Sequence, residues 1–224
     1  MKQIKKKFQF TVLATDVVIF RVEDNKLQVL LIKMKKKPFI GCWAVPGGLV
    51  DPAESLEKSA QKQLLVKSGL KNVYLEQLYT FGKIKRDPFG RVVSVAYFAL
   101  VLNKNLILKT TKEYAAVDWY SVNKLPALAY DHAEIIALAK ERLQSKLAYT
   151  NIVFSLLPKN FSLGELQSVY EIILGKKLDK RNFRKKIVSL KLIKKTGQER
   201  KGNACRPAEL YRFVSYKLQI VNIL

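Results

Sequence analysis

Cysteine and histidine are almost missing from this chain of 224 residues: Cys42, Cys205 and His132 are the whole supply. The two thiols lie far apart and stand at no metal-type spacing, which excludes a zinc site and points to a reducing cytoplasm. Long apolar runs are missing too. None approaches the roughly 18 residues that cross a bilayer. The basic start Lys2–Lys7 runs into a segment broken by Gln9, Thr11 and Asp16 with no small-residue cleavage site, so neither a membrane span nor export is expected. Acid is the third shortage. Against 41 Lys and Arg stand 18 Asp and Glu, a formal charge of +23, and a field of that sign makes a polyanion the first partner to consider. What the chain does have is apolar residues, 49% of the total, enough for one large core or two small ones.

The charge is unevenly spread. Residues 1–150 carry 25 basic and 13 acidic groups, whereas 151–224 carry 16 and 5. This shift beside Ala148-Tyr149-Thr150 predicts an ordinary domain over 1–147 and a small basic one over 148–224.

In the first part, Phe8–Val22 and Leu27–Met34 are rich in β-branched and apolar residues, with Glu23-Asp24-Asn25 as the turn of a hairpin. Pro46, Gly47 and Gly48 argue against regular structure over Trp43–Gly48. An amphipathic helix with a glycine stop at Gly69 is predicted over Ala53–Ser68. Strands are predicted at Val73–Phe81, Val92–Leu102 and Ala116–Tyr120, and a closing helix over Asp131–Leu147 with an Asp131/Glu134 capping box. The order is mixed α/β.

In the basic part, Ser162-Leu163-Gly164-Glu165 is a capping box with Phe161 and Leu166 as its hydrophobic staple, and Gly175 ends the helix it starts. After Lys176-Lys177-Leu178 a second helix is capped by Asp179. Its Phe183, Ile187 and Leu190 fall within about 60° at 100° per residue, which turns Arg181, Arg184 and Lys185 to the other side. A second helix that is greasy behind and cationic in front suits a helix-turn-helix. Short strands at Leu192–Lys195 and Leu210–Phe213 flank a loop with Gly197, Arg200, Lys201, Gly202, Arg206 and Pro207, which makes a basic wing. A solvated surface would scatter its lysines. Here the cations gather on one helix face and one loop, and without an aromatic stacking platform duplex DNA is favoured over single strands or RNA. The expected contacts are Lys180, Arg181, Asn182, Arg184, Lys185, Arg200, Lys201 and Arg206. Asn182 suits either an adenine or a phosphate.

Gly48 to Leu70 resembles the Nudix box: Gly48, Glu54, Leu64, Gly69 and Leu70 match at the family's spacing, and Trp43–Gly48 resembles its lead-in. The resemblance implies a Nudix sandwich over about two thirds of the chain. In that family helix glutamates hold Mg²⁺ against a diphosphate. Here Lys62-Gln63 stands for Arg-Glu and Val66-Lys67 for Glu-Glu, so the resemblance implies a domain without catalytic residues, metal or cofactor. Glu54 and Glu57 remain, with helix-dipole placement as their other explanation. Such a domain can still bind an effector. Gly47 and Gly48 would form one wall of the pocket, and Arg86, Asp87 and Arg91 a second that suits phosphate, carboxylate or sugar hydroxyls. A solvated hairpin tip explains the same loop.

The segment from Tyr149 through Leu178-Asp179 and Arg181–Lys186 resembles the winged-helix half of Nudix-related transcriptional regulators, and Arg86–Pro88 with Arg91–Tyr97 resembles their effector domain. The resemblance implies a homodimeric regulator on a palindromic operator. Its effector would be ADP-ribose or a related NAD metabolite in one branch and L-arabinose in another. The competing reading is a Nudix pyrophosphohydrolase of ADP-ribose or a similar nucleoside diphosphate with an accessory basic domain.

Overall fold

The computed structural model describes residues 10–69, 73–102, 114–200 and 207–223. Its contacts divide the chain into two compact units. One is Met1–Phe20 with Val29–Ala99 and Asn105–Ala139, and the other is Arg21–Gln28 with Leu100–Lys104 and Lys140–Leu224.

Strands β1 (Val12–Glu23), β2 (Lys26–Met34) and β6 (Val92–Leu100) carry near-continuous apolar runs, and their centres are buried on both faces, from Val17 to Phe20, Val29 to Ile32 and Val95 to Leu100. With β3 (Trp43–Ala44) and β5 (Tyr74–Phe81) they order as β3-β2-β1-β6-β5, while β4 (Gly47–Leu49) pairs with β1 and β7 (Tyr114–Ser121) with β2. The hairpin turn is shorter than expected. Asp24 and Asn25 both take positive φ, and two such residues make the turn whose twist matches the strands it joins.

Trp43–Gly48 is irregular only at Val45 and Pro46, between the short strands β3 and β4. Val17 donates to the Pro46 carbonyl at 2.7 Å, and Gly47 and Gly48 lie opposite Asp16 and Thr15 on β1. A Cβ on Gly47 would come within 2.2 Å of the Asp16 carboxylate, and one on Gly48 within 2.9 Å of the Gln63 amide. The glycines that looked like breakers are what let this strand approach. Helix α1 (Leu56–Ser68) starts at Ser55, whose hydroxyl accepts from the Lys58 amide, and buries Ala60 and Leu64. Helix α2 (His132–Tyr149) buries Ile135, Ile136, Ala139, Leu143 and Leu147. The expected Asp131 cap is absent: both carboxylate oxygens of Asp131 accept from Arg86, and Glu134 pairs with Lys83.

In the second unit a 3₁₀ turn (Ile152–Leu156) leads into β8 (Phe161–Ser162), α3 (Leu163–Leu174), α4 (Lys180–Ser189), β9 (Ile193–Arg200) and β10 (Ala208–Phe213), with the strands ordered β8-β10-β9. The Ser162/Glu165 capping box is present in both directions, and Gly175 closes α3 at φ +70°, a conformation that a Cβ penalises. Strand β9 runs past Gly197 to Arg200, with a register shift opposite it between Glu209 and Tyr211, so Arg200 sits on a strand and not in the wing loop. The tail also folds back, where Val221 and Ile223 donate to the carbonyls of Tyr149 and Ala148.

Candidate functional site

The first unit holds a cavity of about 200 Å³. Asp16 reaches it from β1, Gly47 and Gly48 from β4, Arg86 and Asp87 from the β5–β6 loop, and Tyr130 and His132 from the start of α2. Asp16 and Arg86 in its wall belong to an ion cluster. Arg86 donates through Nε and Nη2 to Asp131 at 2.8 and 2.6 Å, and through Nη2 to Asp16 at 3.2 Å. Ser94 adds a 2.6 Å hydrogen bond to the same Asp16 oxygen. Burial opposes the Arg86 charge, but Asp131 and Asp16 outweigh it and raise its pKa above the ordinary arginine value. Two buried carboxylates tolerate each other because one guanidinium lies between them.

His132 is also buried, and burial pushes its pKa below the ordinary value against the pull of Asp16 and Asp131. The Val45 amide donates to Nδ1 at 3.1 Å, which puts the proton of the neutral ring on Nε2, 3.6 Å from Asp16. Beside it Tyr130 sits at φ +53°. Burial, then Asp87 and Asp16, push its hydroxyl above the ordinary value, so the phenol stays a proton donor at the cavity.

Of the five sequence-predicted effector residues, Gly47, Gly48, Arg86 and Asp87 line the cavity. Arg91 turns away and donates to the carbonyls of Gly82 and Lys83 at 2.8 and 3.1 Å, tying the loop to itself. Arg86 is committed to two carboxylates, which corrects the picture of a loop arginine reaching for a ligand. Sequence reasoning missed Asp16, Tyr130 and His132. A lone acid inside the apolar run of β1 was the signal for Asp16, since a buried carboxylate needs partners.

The second unit presents the other candidate. On α4, Phe183 and Ile187 are buried, whereas Lys180, Arg181, Asn182 and Lys185 are exposed. Arg184 departs from the expected outward face. It is half-buried, its Nε lacks a hydrogen-bond partner among the described residues, and it lines a groove with Ser162, Gly164 and Tyr211. Arg200 is engaged by Glu165 at 2.5 Å. Lys201 and Arg206 lie outside the described residues. The turn before α4 is locked by Glu171, which accepts from Gln167, Lys177 and the Leu178 amide. These bonds, the Leu178 amide first, draw its carboxyl down to about 2.

Residues 12–139 match the NUDIX domain family and residues 153–213 the NrtR DNA-binding winged helix domain. The ADPR responsive transcriptional repressor NtrR of Acinetobacter baylyi is 37% identical over 213 residues, 93% of this chain and 84% of that protein. This chain belongs to the NrtR family of Nudix-related regulators. The crystal structure of Shewanella oneidensis NrtR complexed with a 27mer DNA superposes with a TM-score of 0.79 at 36% identity, covering 90% of this chain and 93% of that one. The NUDIX part alone is similar to an ADP-ribose pyrophosphatase of Methanocaldococcus jannaschii, 35% identical over 51% of this chain and 65% of that protein. NrtR architecture thus joins the cavity and the cationic helix in one chain. Among the described residues no helix is long and apolar enough to cross a membrane.

Proposed function

We propose that the protein is a homodimeric, cytoplasmic transcriptional regulator that grips duplex DNA through residues 148–224 and responds to ADP-ribose held in the cavity of residues 1–147. The observation that carries the reading is α4, a capped helix with a buried apolar back and exposed Lys180, Arg181, Asn182 and Lys185. Such a helix enters the major groove, and two related by a twofold axis read a palindrome with half-sites spaced by about 10 or 21 base pairs. The Acinetobacter relative responds to ADPR, which favours ADP-ribose over a pentose. In the cavity, Gly47 and Gly48 give backbone access, Asp87 and Asp16 suit ribose hydroxyls, and Arg86 holds the wall.

Hydrolysis is the second reading, favoured by the likeness to a pyrophosphatase. Mg²⁺ prefers several carboxylate oxygens in one place. Here Lys62 pairs with Glu54 at 3.6 Å, Gln63 lies against Gly48, and Val66 stands where the box has a third acid. The residues present do not fit that metal, which supports sensing without turnover. Two measurements test the two readings. Fluorescent duplex bound by the full chain should change its affinity with ADP-ribose and not with L-arabinose, while ADP-ribose incubated with Mg²⁺ stays intact. Turnover at about 1 per second or faster would make the protein an enzyme.

A further inference from the structure

One outward side chain of α4 has no place in a purely cationic face. Val188 is 51% exposed, among exposed neighbours that are all charged or polar, Arg181, Asn182, Lys185 and Lys186. Valine lowers helix propensity, because its branched Cβ loses χ1 freedom against the preceding turn, and at half exposure burial returns little here. A lone exposed valine is ordinary on a protein surface, but this one has a particular address. At 100° per residue it stands about 20° from Arg181 and about 60° from Lys185, the i, i+4, i+7 stripe opposite buried Phe183 and Ile187. Its neighbour Ser189 is turned back, with the hydroxyl donating to the Lys186 carbonyl at 2.8 Å. Val188 therefore ends the outward stripe.

We propose that Val188 is a specificity-determining residue that receives the 5-methyl group of a thymine in the major groove. The assignment rests on the duplex-binding reading above. Phosphates, the other targets of the stripe, offer a valine nothing. Among base edges in the major groove the thymine methyl is the apolar feature, and contact with it removes apolar surface of both partners from water. Seven residues at 1.5 Å put Val188 about 10.5 Å along the helix from Arg181, a separation of about three base pairs.

The test uses the full chain and a randomised duplex library, selected in parallel by the wild type and by Val188→Ala. In the duplex that the wild type enriches, each thymine is then replaced in turn by uracil, which removes only the methyl group. One thymine in each half-site should weaken wild-type binding about fourfold on replacement, the equivalent of about 0.8 kcal/mol for one buried carbon. Val188→Ala should bind the thymine and uracil duplexes alike and should lose the enrichment of that base. A uracil scan without effect on the wild type, or an equal loss in wild type and Val188→Ala, overturns the assignment while leaving DNA binding in place. A library retained by the wild type without enrichment overturns this assignment alone, and a library that the wild type does not retain at all overturns the duplex-binding reading with it. Because the uracil arm alters the DNA and not the protein, misfolding cannot imitate the expected result.

Discussion

Arg86 and Arg181 belong to the same residue type and have opposite fates. Arg86 is buried, held by Asp131 and Asp16, and shapes the wall of a cavity. Arg181 stands in solvent on the face of a short helix. At Arg86 the NUDIX part turns charge inward, where a guanidinium between two carboxylates is part of the fold. The winged helix turns its charge outward, where a cation costs the fold little and is available to phosphates. A basic residue in a sequence therefore becomes a ligand contact or a brace according to whether acids are folded against it.

The largest expected effect breaks that contrast directly. Arg86→Met leaves Asp16 and Asp131 buried without their counter-charge and should cost about 3 to 5 kcal/mol in urea unfolding, whereas Arg181→Ala should stay within about 0.5 kcal/mol. Equal, small losses in both would mean that Arg86 is a ligand clamp and no brace. The second effect is one of pH. The folded pKa of His132 lies below its ordinary value, so the unfolded chain takes up a proton first as pH falls below about 6.5. Stability contributed by the neutral ring is thus present above that pH and lost below it, by up to about 1.4 kcal/mol per pH unit. Unfolding curves between pH 7.5 and 5.5, at about half-unit steps, should show this slope in the wild type and a shallower one in His132→Asn. The smallest effect sharpens the comparison from the winged-helix side. Ser162→Ala removes the hydroxyl that accepts from Glu165 and should cost about 1 kcal/mol, with the salt dependence of duplex binding unchanged because no cation is lost.

Much of the winged helix was legible in the sequence because its signals are local. The capping box Ser162/Glu165, the stop at Gly175 and the cap at Asp179 each act within four residues, and all three appear where the sequence puts them. Arg184 and Arg200 were misplaced for a different reason. Periodicity gives the angle of Arg184 on its helix but not the groove it shares with Ser162 and Tyr211, and Arg200 meets Glu165 from 35 residues away.

The NUDIX part divides along the same line. The apolar runs of β1, β2 and β6 and the helix after Ser55 were legible from residue type and spacing, and the departures at Lys62, Gln63, Val66 and Lys67 from the resemblance to the Nudix box. Partner choice was not. Asp131 looked like a helix cap, since a cap is the nearest use for an acid at that place, yet Arg86 takes both its oxygens from 45 residues away. Desolvation decides such contests: once the sheet closes over Asp16, its carboxylate needs buried partners, and Arg86 with Ser94 supplies them. Sequence reports which residues carry charge, and only the folded chain settles which of those charges leave water and whom they must then face.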